Sequence, residues 1–220
     1  METAEVETSP GIERQDWGAA SQGSPPVLVL DEFLVRQELN SLMRYVLDRE
    51  SAFQATRVIN SHGGDQLDAQ YRRSRVLFSI DEFERLFADR LSFFLPHVLW
   101  RLDMEPFPVS RIEIQLTASN HGEFFRQHID NGSDSVSRRA LTFVHFFYRE
   151  PKPYSGGQLR VFDYPWPGQR TADAAAHVIE PQQNQIVFFQ SNRLHEIFPV
   201  DCPSGEFADS RFTVNGWFHR

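Results

Sequence analysis

His128, Asp130 and His195 are the residues of this chain best suited to hold a divalent metal, and Arg211 stands sixteen positions past the second imidazole. Two neutral imidazoles and one carboxylate are the ligand set of a mononuclear non-haem iron(II) centre, which keeps coordination positions open for an oxidant and a co-substrate. The set contains no thiolate, which disfavours a structural zinc cluster. Arg211 offers a fixed cation and a planar fork of donors, a match for a carboxylate. A His-x-Asp pair is weak evidence in a chain with 8 His, but its setting adds weight. His128 and Asp130 follow Gly122 and the pair Phe124 and Phe125, His195 follows the apolar residues 186–189, and Arg211 opens the last β-prone run. If these four side chains converge, oxygen-activating chemistry follows.

Strands must position them. A spacing of two puts His128 and Asp130 on one face of a strand. His195 lies 67 residues further on, so it must come from a distant strand folded back alongside. Facing sheets around a central cavity allow this. From residue 110 onward the period of the apolar residues is two: Ile112, Ile114 and Leu116 alternate with Arg111, Glu113 and Gln115, the pattern of a half-buried strand. Further β-prone runs cover residues 141–148, 158–162, 185–190, 195–200 and 211–218, separated by Gly, Pro, Asn and Asp clusters.

Before the strands the period is helical. Asp31 is an expected N-cap, followed by Leu39, Leu42, Met43, Val46 and Leu47 at helical spacing. A second helix is expected from Asp81, with Phe83, Leu86, Phe87, Leu91, Phe94, Leu95, Val98 and Leu99 on its apolar side and Pro96 as a kink or a stop. Residues 53–70 are polar and read as irregular. Helices first and strands after predict an α+β chain whose β part is a sandwich or barrel.

Composition bounds the function. With 40% hydrophobic and 24% charged residues the chain is an ordinary globular one, and 20 Phe predict a dense, dry core. No run approaches the roughly 18–20 apolar residues of a membrane span. Residues 1–26 are acidic and poor in apolar residues, so they are expected to be a flexible tail and not a secretory signal, with one domain over residues 27–220. A single Cys, Cys202, excludes an internal disulfide framework and fits a reducing, cytoplasmic compartment. A net charge of −8 argues against a general affinity for nucleic acid. His62, His97, His121, His177 and His219 have no partner at ligand spacing and read as structural or surface residues; His145, inside an apolar run, reads as a hydrogen-bonded core histidine.

Four segments resemble the iron(II)/2-oxoglutarate-dependent dioxygenases, and among them the prolyl 4-hydroxylase-like branch. They are residues 122–131 (GEFFRQHIDN), 154–159 (YSGGQL), 188–197 (FFQSNRLHEI) and 211–218 (RFTVNGWF), in the family's order and spacing. The resemblance implies a double-stranded β-helix, or jelly roll, with N-terminal helices packed on one sheet. It implies that His128, Asp130 and His195 hold Fe(II) and that 2-oxoglutarate chelates the metal. Arg211, with Thr213 on the same strand face, would bind the far carboxylate, and O2 would be the oxidant. A carboxylate at Asp130 favours hydroxylation, or another oxidation such as desaturation, over halogenation. The chain departs from the pattern where many relatives carry a Tyr for the co-substrate: Ser119 and the residues from Val144 to Phe146 stand there instead.

The resemblance places a prolyl residue in a peptide or protein first among substrates, followed by a free amino acid or a natural-product intermediate. Residues 57–75, with Arg72, Arg73 and Arg75, could form a lid whose cations steer an acidic group. Two further classes stand beside this reading. A non-catalytic jelly-roll binding module would have no use for an intact ligand set, and a cupin-like metalloenzyme without 2-oxoglutarate would have no use for Arg211.

Overall fold

The structure, a computed structural model, describes residues 25–56, 58–59, 65–66, 69–165 and 175–220. The expected tail falls outside the described residues except for its last two, and His62 and Arg57 fall outside them as well. The chain enters through β1 (Leu28–Leu30), α1 (Arg36–Leu47), β2 (Gln54–Ala55), β3 (Arg72–Arg73), β4 (Arg75–Leu77) and α2 (Glu82–Arg101). Eight strands follow: β5 (Arg111–Ser119), β6 (Phe124–His128), β7 (Arg139–Phe147), β8 (Leu159–Pro165), β9 (Ala176–Ile179), β10 (Gln185–Gln190), β11 (Arg193–Ile197) and β12 (Arg211–His219). Two short pairs lie outside this scheme, Val58–Ile59 with Asp65–Gln66 and Ser155–Gly156 with Val200–Asp201.

The strands form two antiparallel sheets. The larger runs β1-β10-β7-β12-β5-β4-β2 and the smaller β9-β8-β11-β6-β3. From β5 to β12 the chain passes back and forth between them, with β5, β7, β10 and β12 in one sheet and β6, β8, β9 and β11 in the other. That winding is the double-stranded β-helix, and it brings β6 beside β11 although their sequences lie far apart. No helix among the described residues is long and apolar enough to cross a membrane.

Alternation along the strands sorts the two faces of the large sheet. Leu141, Phe143 and Phe147 of β7, Leu116 and Ala118 of β5, and Phe212, Val214 and Phe218 of β12 join one core with Leu42 and Val46 of α1 and Phe87 and Leu91 of α2. Burying this apolar area is what holds both helices to the sheet. The opposite face of β7 sends Val144 and Phe146 into a second core with Leu159 and Val161 of β8 and Val187 and Phe189 of β10, between the sheets. Past the exposed Arg111 and the half-buried Glu113, the polar residues of β5 do not meet open water, as a half-buried strand would have them. Gln115, Thr117 and Ser119 are buried and line the space between the sheets.

Gly216 lies at the centre of β12, opposite Ile114 and Phe143. A Cβ there would stand 1.9 Å from the Glu113 carbonyl oxygen and 2.8 Å from Phe143 Cζ. The carbonyl cannot withdraw without breaking the ladder, and the Phe143 ring is held in the core. Gly216→Ala is expected to destabilise the protein by about 3 kcal/mol, read as a lowered thermal midpoint.

Three expectations need correction. The N-cap of α1 is Val35, not Asp31: the Glu38 carboxylate reaches back to accept the Val35 N–H at 2.9 Å, while Asp31 accepts from the side chain of Gln185 at 2.9 Å. Of the two outcomes expected of Pro96, a kink or a stop, the stop is excluded: α2 continues to Arg101 and buries Val98 and Leu99. Residues 53–70 include short paired strands.

His145 is the core residue expected. It is fully buried among the rings of Phe33, Phe87 and Phe147. Its Nε2 lies 3.1 Å from Asn184 Oδ1, and Nδ1 has no partner among the described residues. Burial pushes its pKa from 6.5 down to about 4. The unfolded chain therefore takes up this proton first as the pH falls, so the neutral ring's contribution is complete above pH 6.5 and lost on approach to pH 4. The gap corresponds to about 3 kcal/mol. His145→Phe is expected to flatten the decline of urea stability across that window.

Candidate metal centre and co-substrate pocket

His128 is the last residue of β6 and pairs directly with His195 on β11. Opposed residues on neighbouring antiparallel strands face the same side at short range, and the two imidazole centroids are 4.1 Å apart. Asp130 is not on the strand. It sits in the turn after β6, where its backbone N–H donates to the Ser191 carbonyl at 2.9 Å. The turn swings the carboxylate between the rings: Asp130 Oδ1 is 3.6 Å from His128 Nε2 and Oδ2 is 3.5 Å from His195 Nε2. One donor atom from each residue lies within 4.8 Å of the others, and these are the residues among those described that group to hold a metal.

The geometry suits metal ligation better than ion pairing. Bonds of about 2.1 Å to a first-row metal place neighbouring ligand atoms roughly 3 Å apart, so a small contraction closes the site. Each ring is fixed from behind, with His128 Nδ1 2.8 Å from the Arg126 carbonyl and His195 Nδ1 2.9 Å from the Arg193 carbonyl. A carbonyl only accepts, so both Nδ1 atoms carry the proton and both Nε2 lone pairs face the centre. Burial, and then His195 beside it, hold the His128 pKa well below the ordinary value, which keeps that ring in its ligating form.

Burial works to raise the Asp130 carboxyl. The His195 and His128 imidazoles and the Thr142 hydroxyl outweigh it and hold the group below its usual range. Thr142 lies opposite Phe189 and Trp217 in the large sheet and donates to Asp130 Oδ2 at 2.7 Å. Thr142→Val keeps the shape and deletes this donor. Its metal affinity is expected to fall on the order of tenfold, measured by calorimetric titration with Mn(II) under anaerobic conditions.

A cavity of about 1030 Å³ opens from these donors between the sheets. Arg211 is buried at its wall, at the first position of β12, with its guanidinium carbon 4.9 Å from the centre of the Phe146 ring. Its Nε and Nη2 have no hydrogen-bond partner among the described residues. Burial lowers its pKa to about 10, so it remains a cation at neutral pH. A buried, unmet guanidinium is costly unless an anion joins it, and a carboxylate reaching in from the metal would satisfy it. Gly157 makes room: a Cβ there would lie 2.6 Å from Arg211 Cδ. Thr213 lines the cavity on the same strand face, with its hydroxyl 3.4 Å from Asn215 Oδ1.

The outer wall carries residues whose part sequence patterns did not reveal. Arg139 lies over the Trp217 ring at 3.5 Å and donates to both Glu113 oxygens, at 2.7 and 3.2 Å. Arg72, considered above only as part of a lid, lines the cavity from β3. Of the described part of residues 57–75, β3 is an edge strand of the smaller sheet, Arg75 opens β4 between β5 and β2 of the larger, and Val58–Ile59 pairs with Asp65–Gln66 outside both.

Comparison with known proteins gives three findings. Residues 114–219 match the family model for the 2OG-Fe(II) oxygenase superfamily. The chain is 39% identical over 194 residues to an uncharacterized PKHD-type hydroxylase of Synechocystis sp., covering 87% of this chain and 62% of the relative. The chain thus spans somewhat less than two thirds of that relative's length. In fold it is similar to a Pseudomonas putida prolyl-4-hydroxylase (TM-score 0.63, 20% identity, 90% of this chain and 94% of that one). It is also similar to a Trichoplax adhaerens prolyl hydroxylase solved with a hypoxia inducible factor peptide fragment (TM-score 0.63, 15% identity, 89% and 84%).

Proposed function

We propose that the chain is a 2OG-Fe(II) oxygenase, as the family-model match over residues 114–219 and the 39% identical relative support, and that it hydroxylates an unactivated C–H bond, that of a prolyl residue in a peptide or protein, in a single domain over residues 27–220. One observation carries this reading: three donors that suit Fe(II) share one cavity with a buried guanidinium whose Nε and Nη2 have no hydrogen-bond partner among the described residues. In this reading His128, Asp130 and His195 hold the metal, Arg211 binds the far carboxylate of 2-oxoglutarate, and Thr213 adds a hydroxyl beside it. Bound iron and co-substrate supply the oxidising power: 2-oxoglutarate, O2 and R–H give succinate, CO2 and R–OH.

The chain's own residues do the rest. The carbonyls of Arg126 and Arg193 hold the two Nδ1 protons, so neither ring can turn its lone pair away from the centre. Thr142 fixes the orientation of the Asp130 carboxylate. Val144 and Leu159 give the cavity apolar walls near the centre, which limit water where the C–H bond must lie. The cavity extends beyond what a co-substrate fills, toward Phe124, Phe125 and Trp217, leaving room for a peptide segment. A single buried Cys202 accords with a reducing, cytoplasmic setting.

The test is oxygen-dependent succinate release with purified, Fe(II)-loaded protein, paired with mass spectrometry of a prolyl-peptide panel. The proposal requires stoichiometric succinate and a one-oxygen mass gain on one of the peptides. Succinate release stimulated by a non-prolyl metabolite alone would move the substrate to the small-molecule class, and no succinate with any substrate would leave a binding module.

A further inference from the structure

Counting charges around the cavity leaves one cation without an ion-pair partner among the described residues. Its charged lining residues, apart from the histidines, are Arg72, Glu113, Asp130, Arg139 and Arg211. Arg139 and Glu113 neutralise each other through two hydrogen bonds. Under the proposed function, Fe(II), the Asp130 carboxylate, doubly charged 2-oxoglutarate and Arg211 also sum to zero. Arg72 remains. Its Nε donates to the neutral Ser74 hydroxyl at 3.2 Å; Asp130 attracts it through space, but no carboxylate is in ion-pair contact with it among the described residues. Burial lowers its pKa to about 10, so the charge persists at neutral pH.

Position gives this surplus charge a use. Arg72 lies opposite Phe125 on the neighbouring strand, with its guanidinium 4.5 Å from that ring's centre. Phe125 in turn stacks on His128, with centroids 3.5 Å apart. The cation is thus one ring removed from a metal-facing imidazole, on the wall of the same cavity. Fixed by Ser74 and Phe125, the planar fork is preorganised for a carboxylate.

We propose that Arg72 selects a substrate that carries a carboxylate close to the reacting carbon. The inference rests on the 2-oxoglutarate reading of the site. Two sources share this chemistry, a free amino acid and a peptide with an acidic residue beside the reacting one, and paired probes separate them. The first pair is L-proline against L-prolinamide. The second is the blocked tetrapeptide Ala-Pro-Asp-Ala against Ala-Pro-Asn-Ala. Binding is read anaerobically as the perturbation of the visible charge-transfer band of the Fe(II)–2-oxoglutarate protein, in the wild type, Arg72→Gln and Arg72→Lys.

The expected result is at least a tenfold preference for the acid member of one pair. That preference is lost in Arg72→Gln and partly kept in Arg72→Lys, because it follows the charge and not the stacking on Phe125. The pair that shows it names the source. Equal binding of acid and amide, a preference that survives Arg72→Gln, or no binding of either acid would overturn the assignment. If the band itself does not form in the wild type, the 2-oxoglutarate reading fails first, and the two failures are told apart.

Discussion

Replacing His128 or His195 with Ala is expected to abolish iron retention and turnover together. The two rings meet across one strand pair, and each supplies one of three donors within 4.8 Å. Deleting either leaves two donors and a void where the third bond would form. Outer partners of metal ligands are typically worth 10–100-fold in affinity, so losing a ligand should cost at least about 100-fold. Metal analysis after anaerobic loading and desalting should find wild-type protein near one iron per chain and the variants near none. The fold should survive, because His195 is backed by Phe189 and Val161 and the ladder uses only its backbone. Thermal midpoints of the metal-free proteins check this. Unchanged turnover in His128→Ala would remove the assigned centre.

Arg211→Ala is expected to act on the co-substrate and not on the metal. Its guanidinium is buried, has two nitrogens without hydrogen-bond partners among the described residues, and lies against the Phe146 ring. Removing it leaves the far carboxylate of 2-oxoglutarate to be buried without a counter-charge. A lost hydrogen bond to a charged group and the exposed penalty together amount to about 3 kcal/mol, on the order of 100-fold in affinity. Iron retention should stay at the wild-type level, and the 2-oxoglutarate concentration for half-maximal succinate release should rise. A 2-oxo acid without the far carboxylate, such as 2-oxobutyrate, should bind wild type and variant alike. Equal loss with both acids would mean that Arg211 supports the pocket without reading the carboxylate.

What could be read from the residues before folding was the part with local meaning. His128, Asp130, His195 and Arg211 each sit in a short motif whose residue types state their chemistry, and the structure brings the first three together with the fourth at the wall of the same cavity. The period change near residue 110 located β5, and the runs over β7, β10 and β12 match the observed strands within about two residues.

The rest depends on contacts between distant segments. β6 carries Phe124, Phe125, Arg126, Gln127 and His128, which do not alternate, so only its pairing with β11 and β3 identifies it as a strand. Asp130 leaves the strand because a carbonyl 61 residues away, that of Ser191, accepts its N–H. The polar face of β5 is indistinguishable in sequence from one exposed to water; its burial comes from the second sheet closing over it. Thr142, Arg139 and Arg72 owe their parts to cross-strand register, which no single segment encodes.

Anaerobic titration of the Fe(II)-loaded protein with 2-oxoglutarate addresses most directly whether these distant groups form one site. The convergence described here predicts a saturable visible band at one equivalent per chain, absent from His128→Ala and shifted to much higher concentration in Arg211→Ala. A wild-type protein that takes up no iron, or that holds iron and develops no band, would contradict it.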